Sequence, residues 1–249
     1  MSNILVFSDT HLYLPFDQKK FNFLEKIISN ADQVIINGDF IDDYMISFDD
    51  FIKSKWNELF PLLKSKRTVY IFGNHDQQKF SDKRLNLFSD VQVTSYELQA
   101  TSYKFIFTHG HQFRKTADLS IKKNFRFAVS FTVRMAHIIR QIMVNIFGRN
   151  FLRLRFAYRN VATKQKAIKT IKNNEFIIVG HNHWAEVDEE KRFACDGAIL
   201  YGFAQYLTID SETGKINLHE EWYKCRKSLQ YTVKLPKIPI WTYKKQRLK

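Results

Sequence analysis

The chain has 249 residues, 45% of them hydrophobic and 15% aromatic, with only 8 Gly and 4 Pro. That describes one generous domain with a packed core and excludes a collagenous, low-complexity or disordered chain. The net charge of +14 is segregated: residues 112–172 hold 15 Lys and Arg against one acid, Asp118. The stretch 222–249 also carries bases and no acid, which leaves an acidic body. Charge so one-sided expects an anionic partner, whether lipid headgroups, nucleic acid or a phosphorylated substrate. Two cysteines, Cys195 and Cys225, are too few for a disulfide framework or a four-sulfur zinc site, and point to a reducing compartment. No basic start precedes a long apolar run, so no signal peptide is expected. No window of about 18 residues is free of charge, so no spanning helix is expected either.

Five short apolar runs each end in polar residues able to bind a metal. Residues 4–7 lead into Ser8-Asp9-Thr10-His11, and residues 34–36 into Asn37-Gly38-Asp39. Residues 69–72 lead into Gly73-Asn74-His75-Asp76, and residues 105–107 into Thr108-His109-Gly110-His111. The last run, 176–179, leads into Gly180-His181-Asn182-His183. Such continuous β-branched runs predict strands buried on both faces. Helical spacing recurs between the first three, at Phe21, Leu24 and Ile28 and again at Tyr44, Phe48, Phe51, Ile52, Leu59 and Leu63. Alternation of this kind predicts an α/β fold with a largely parallel sheet, whose ligands gather beyond the carboxyl ends of the strands. Residues 193–222 read as short strands with a hairpin turn at Ser211-Glu212-Thr213-Gly214. The body is therefore placed at 1–221, interrupted by a basic helical insertion at 112–172 and followed by a basic tail at 222–249.

The insertion breaks the alternation. Ile121, Phe125, Val129, Thr132, Ala136, Ile139 and Met143 trace one helical stripe, and Phe127, Phe131, Met135, Ile138 and Ile142 a second. Only a narrow polar strip remains, holding Lys122, Arg126, Arg134, His137 and Arg140. A wide apolar face edged with cations suits a helix lying on a bilayer or gripping acyl chains. Packing of both stripes against the body is the alternative.

Taken together, Asp9-x-His11, Gly38-Asp39-x-x-Asp42, Gly73-Asn74-His75-Asp76, His109 and Gly180-His181-x-His183 resemble the calcineurin-like metallophosphoesterase superfamily, with its five motifs in order across positions 9–183. The resemblance implies a four-layer αββα sandwich with a helical cap between the fourth and fifth motifs. The residue types support the chemistry independently. Carboxylate, imidazole and amide donors without thiolate suit manganese, foremost, or iron or zinc. A carboxylate such as Asp39 can bridge two divalent ions, the arrangement of hydrolytic two-metal sites. The superfamily implies the partition: Asp9, His11, Asp39 and His183 on one ion, and Asp39, Asn74, His109 and His181 on the other. A water shared by the ions would attack the phosphorus. By the same resemblance His75 lies over the substrate as general acid or electrostatic stabiliser, with Asp42 holding it charged and oriented. Asp76 reads as the N-cap of a following helix, and His111 as a neighbour of the site.

The long, apolar and basic cap is similar to that of the UDP-2,3-diacylglucosamine diphosphatases, whose insertion covers acyl chains. On that likeness Arg155, Arg159, Lys164 and Lys166 are candidates to bind substrate phosphate, and the substrate is an anionic lipid-linked nucleotide met at the inner face of a cytoplasmic membrane. Members of that group have Arg where this chain has His75, and Asp where it has His111. Two other readings stand beside it: a nucleic-acid or small-molecule phosphodiesterase using the same metals, and a binding scaffold that retains the motifs.

Overall fold

Continuous apolar runs leave a strand no polar face, so the strands that carry them must lie inside the molecule. The computed structural model describes residues 3–100, 103–114 and 126–224, the side chains of 126–130 excepted. In it β1 (Asn3–Phe7), β2 (Gln33–Asn37), β3 (Val69–Ile71) and β4 (Val91–Val93) lie parallel and adjacent. The strand β11 (Phe203–Asp210) runs antiparallel against β1 and pairs with β10 (Ile199–Leu200) and β12 (Ile216–Trp222) to complete seven strands. A second sheet has the order β5 (Ser95–Ala100), β6 (Tyr103–Thr108), β7 (Glu175–Val179), β9 (Phe193–Cys195), β8 (Glu186–Asp188). In this sheet β6, β7 and β9 are parallel and the two edges antiparallel.

The sheets stack face to face. Ile4, Val6, Ile35 and Ile71 of the first pack against Phe105, Phe107, Phe176 and Ile178 of the second. On the outer face of the first sheet sit α1 (Gln18–Ser29), α2 (Phe48–Lys53) and α3 (Phe60–Ser65), which bury Leu24, Phe51 and Leu63 against Leu5, Phe7 and Ile36. Ala167, the last residue of α6 (Tyr158–Ala167), closes over Ile177, Val179 and Phe193 on the far side. The layering is helix, sheet, sheet, helix, an α/β sandwich as the motifs imply.

The helix expected from Tyr44 to Leu63 is broken. Ser47 caps α2 by accepting from the Asp50 amide, Ser54 is extended (ψ 168°), and a 3-10 turn at Lys55–Leu59 precedes α3, which carries Pro at its start. Serine side chains compete with the helical ladder for backbone hydrogen bonds, which is why the periodicity continues across a break that the backbone does not bridge. Tyr44 lies before α2.

The cap is three helices: α4 (Arg126–Phe147), α5 (Arg149–Phe156) and α6. Gly148, at φ +59°, breaks the first two apart. Val144, Leu152 and Phe156 seat them on Trp184, Leu200, Tyr201 and Phe203. Asp118, Ile121, Lys122, Phe125, the side chains of Arg126, Phe127 and Val129, and the tail with Cys225 lie outside the described residues.

Candidate active site

The parallel strands deliver their polar clusters to one edge. Asp9 and His11 follow β1, Asp39 and Asp42 follow β2, Asn74 and His75 follow β3, His109 follows β6, and His181 and His183 follow β7. At five of these the backbone is left-handed: Asp9 (φ +51°), His11 (+44°), Asp39 (+52°), His181 (+64°) and His183 (+60°). Each such residue costs about 1–2 kcal/mol. That strain buys convergence, since a strand end turning sharply aims two alternate side chains at one point. The motif glycines make room. A Cβ on Gly73 would sit 2.1 Å from Asp39 Oδ1, and one on Gly38 2.4 Å from His109 Nδ1.

Two clusters share Asp39. In the first, His183 Nε2 lies 3.0 Å and His11 Nε2 3.7 Å from Asp9 Oδ1, and His11 Nε2 is 3.8 Å from Asp39 Oδ2. In the second, His109 Nε2 lies 3.2 Å from Asp39 Oδ2 and 3.2 Å from Asn74 Oδ1, with His181 in the same group. Asp9 Oδ1, both ring nitrogens of His11 and His181 Nε2 are buried and make no hydrogen bond among the described residues. Converging orphaned donors of this chemistry fit divalent cations.

The charges say the same. Burial pushes His11 and His109 down, yet Asp42 and Asp9 around the first and Asp39 around the second outweigh it and raise both to about 10. Burial raises Asp9, Asp39 and Asp42 too, and His183, His109 and His75 respectively outweigh it, holding all three below the usual carboxylate range. Burial dominates at His181 and His183, lowering them to about 3 and about 4. The carboxylates hold protons on His11 and His109 that a bound cation would displace.

Beside the clusters, Asp42 Oδ1 lies 3.2 Å from His75 Nδ1 and Oδ2 lies 3.6 Å from His11 Nδ1. The His75 backbone N–H donates to Asp39 Oδ1 (2.7 Å), which ties the residue to the shared carboxylate. Burial lowers His75, but Asp39 and then Asp42 raise it above the ordinary histidine value. The His75 side chain, at 23% exposure, is one of the more open groups here, which suits contact with a substrate.

Asp76 is not a helix cap. Its buried carboxylate accepts from the backbone N–H groups of Phe40 (2.7 Å), Gly73 (2.7 Å) and Asp39 (3.1 Å) and from the Tyr70 hydroxyl (2.5 Å). It clamps the β2 and β3 loops together, because those backbone donors are interior and have no helix to serve.

A family profile described as calcineurin-like phosphoesterase matches residues 2–185. The chain belongs to that family. It is a metal-dependent phosphoesterase. A search of curated proteins finds no match. Similar solved structures include an archaeal phosphodiesterase, at 18% identity over 88% of this chain and 99% of that one, with a TM-score of 0.44. The phosphoesterase Yfce from E. coli is 13% identical over 89% and 100%, at 0.43. Zinc-complexed Vps29 from Entamoeba histolytica is 13% identical over 89% and 99%, at 0.40.

Around this phosphoesterase centre the cap residues divide. Arg159 is partly buried over the Phe156 ring (4.7 Å), and Phe156 in turn lies 5.1 Å from His183. Arg155 also lies over the buried Phe156 ring (5.6 Å) and is itself exposed. Lys164 turns instead to Glu186 and Asp188 (2.6 Å to the latter), and Lys166 is exposed. The His111 ring lies tilted beside that of His109, 5.6 Å between centroids.

Several neighbours of the site carry no motif. Arg114 lies over the Tyr158 ring, near Arg155 and Arg159, and one of its buried amino groups makes no hydrogen bond among the described residues. Asp196 hydrogen-bonds with Ser8 and Asn37, which lie one residue before Asp9 and two before Asp39. It follows the apolar strand β9, the same strand-then-acid signature that marks Asp9 and Asp39, and could have been found by it. A cavity of about 740 Å³ lies against α4, lined among others by Tyr13, Phe16, Lys20, Arg134, His137 and Tyr201. Tyr13 is two residues past His11 and stands 5.7 Å from the His137 ring.

Proposed function

We propose that the protein is a two-metal hydrolase that cleaves the phosphoanhydride of a lipid-linked nucleotide such as UDP-2,3-diacylglucosamine, releasing a nucleoside monophosphate and a lipid phosphate. The supporting observation is the 740 Å³ cavity, whose lining mixes apolar Phe16, Ile138 and Leu200 with the cations Lys20 and Arg134 and includes Tyr13, two residues past His11. A chain that is greasy at one end and anionic at the other meets both kinds of wall.

Asp9, His11, Asp39 and His183 would hold one divalent ion, and Asp39, Asn74, His109 and His181 the other. Bound there, such ions would supply positive charge to the phosphoryl oxygens and lower the pKa of bound water toward neutrality. The chain's own groups do the rest. His75, its pKa raised by Asp39 and Asp42, offers its proton or its charge to the leaving oxygen. Arg155 and Arg159, with Arg114, place guanidinium groups beside the His183 side of the site, where they would hold a second phosphoryl group. Of the two lysines, Lys164 is occupied by Glu186 and Asp188, so the arginines are the better candidates.

The test is hydrolysis by manganese-loaded protein of the lipid nucleotide, of UDP-glucose and of a single-stranded oligonucleotide. Release of UMP from the first, well above the other two, is expected. Preferential cleavage of the oligonucleotide would replace this reading with a nuclease. The outward aliphatic side chains of α4 speak against that outcome, since single-strand binders present aromatic platforms.

A further inference from the structure

The helix α4 is inside out. An amphipathic helix on a globular domain turns its apolar stripe to the core and its polar face to water. Here Phe131, Met135, Ile138, Ile139, Ile142 and Ile146 are all exposed, between 41% and 63%. At about 100° per residue they fall within an arc of about 100°. The opposite arc faces the body with His137, Arg140 and Val144: the His137 ring meets Tyr13 and Tyr201, Arg140 donates to the Tyr201 hydroxyl (3.3 Å), and Val144 is fully buried. Beside it Gln141 donates to the Tyr201 carbonyl (3.0 Å). The polar side is spent on the interior and the apolar side is left outward, an arrangement that calls for a cover.

We propose that this outward stripe docks α4 flat on an anionic lipid bilayer. Charge selects the cover. From Arg126 to Ala167 the three cap helices contain nine Lys and Arg and no acid. Arg134 and Arg153 are exposed close to the stripe in sequence, and Arg149, also exposed, is paired with Glu220. The cap of a second copy would bring the same sign against it, and so would the basic 222–249 stretch of the chain itself. Anionic headgroups supply the opposite sign and the acyl region takes the isoleucines. The helix rests rather than spans, because no helix among the described residues is long and apolar enough to cross a membrane. Ile138 belongs both to the stripe and to the cavity wall, so docking sets the cavity edge at the interface. The docking itself does not depend on which phosphoester is cleaved.

The experiment is vesicle flotation of the full chain with phosphatidylcholine alone and with phosphatidylcholine mixed with phosphatidylglycerol. Binding should be about tenfold or more tighter to the mixed vesicles and fall as salt is raised. The triple substitution Phe131→Ser, Ile139→Ser, Ile142→Ser should reduce binding about a hundredfold, while hydrolysis of bis(p-nitrophenyl) phosphate and the thermal midpoint stay at the parent level. Retained activity shows that the variant is folded, and separates failed docking from a failed catalytic assignment. Undiminished flotation of the variant, equal binding to neutral vesicles, no flotation of the parent, or a dimer that the substitutions dissociate would each overturn the proposal.

Discussion

Ser8 Oγ stands 2.6 Å from Asp196 Oδ1 and 2.5 Å from Asp9 Oδ2. A hydroxyl has one proton, so it cannot donate to two carboxylates. The His181 amide also donates to Asp9 Oδ2 (2.8 Å), which marks Asp9 as the ionised partner that receives the Ser8 proton. Asp196 must then be the neutral acid, donating to Ser8 Oγ and accepting from Asn37 Nδ2 (3.0 Å). Burial agrees, pushing Asp196 up to about 8.

A pH dependence follows. The unfolded carboxyl titrates near 3.8 and the folded one near 8, so the folded state alone keeps the proton between those values. The stabilisation is complete below about pH 4 and is lost as pH rises through 8, at roughly 1 kcal/mol per unit. Asp196→Asn, whose amide can donate to Ser8 as the acid does, should flatten that slope. Urea midpoints of parent and variant at saturating manganese, from pH 5 to 8, should diverge steadily. A constant difference would mean that Asp196 is ionised. Ser8→Ala, which leaves Asp9 less firmly oriented, should weaken metal binding about 10–100-fold by titration calorimetry.

The Asp76 clamp makes a different demand. Removing it leaves the backbone donors of Asp39, Phe40 and Gly73 and the Tyr70 hydroxyl in the interior without their acceptor. At about 1–3 kcal/mol for a stranded group, Asp76→Ala should cost roughly 4 kcal/mol or more, read from the denaturant midpoint of metal-free protein. A loss below about 1 kcal/mol would show that the β2 and β3 loops hold themselves.

Strand placement was legible because a run such as 34–36 has no polar side and its first acid comes where the strand stops. The observed β2 is Gln33–Asn37, one residue longer at each end. What could not be read was which face of α4 turns outward. The sequence shows two stripes and a cationic strip, and only the position of Tyr201 and Tyr13 in space draws His137 and Arg140 inward. Asp76 misled for a related reason. An acid after a strand looks like an N-cap, and the donors it serves come from Phe40, 36 residues away in the chain. Spacing carries local chemistry well and long-range pairing poorly.

For His75 the expectation is a loss of turnover without loss of metal. Its ring faces Asp42, while its backbone N–H holds Asp39 whatever the side chain. His75→Gln should lower kcat by about 10²–10⁴ with two metal equivalents retained by elemental analysis. Loss of one equivalent would move His75 into the ligand set, a role its grouping with His11 and Asp39 permits.

Lys20 offers the last test, and it reports on the cavity. Its ammonium is buried, donates to the Thr10 carbonyl (2.5 Å), and faces an Asp17 already paired with Lys224 at 2.5 Å. Burial therefore pulls it down from 10.5 to about 7. The unfolded chain takes up this proton more readily between those values, so stability rises with pH from about 7 to 10.5, and below 7 the folded state carries the whole cost. Lys20→Met should raise the thermal midpoint near pH 6.5, worth roughly 2–4 kcal/mol, and the advantage should vanish by about pH 10. An anionic ligand in the cavity would reverse the balance by pairing with the ammonium. The same substitution should then weaken binding of a phosphorylated lipid about tenfold, measured by calorimetry at pH 6.5. Stabilisation without weakened binding would place the ligand's anionic end elsewhere, on the Arg155 and Arg159 side of the centre.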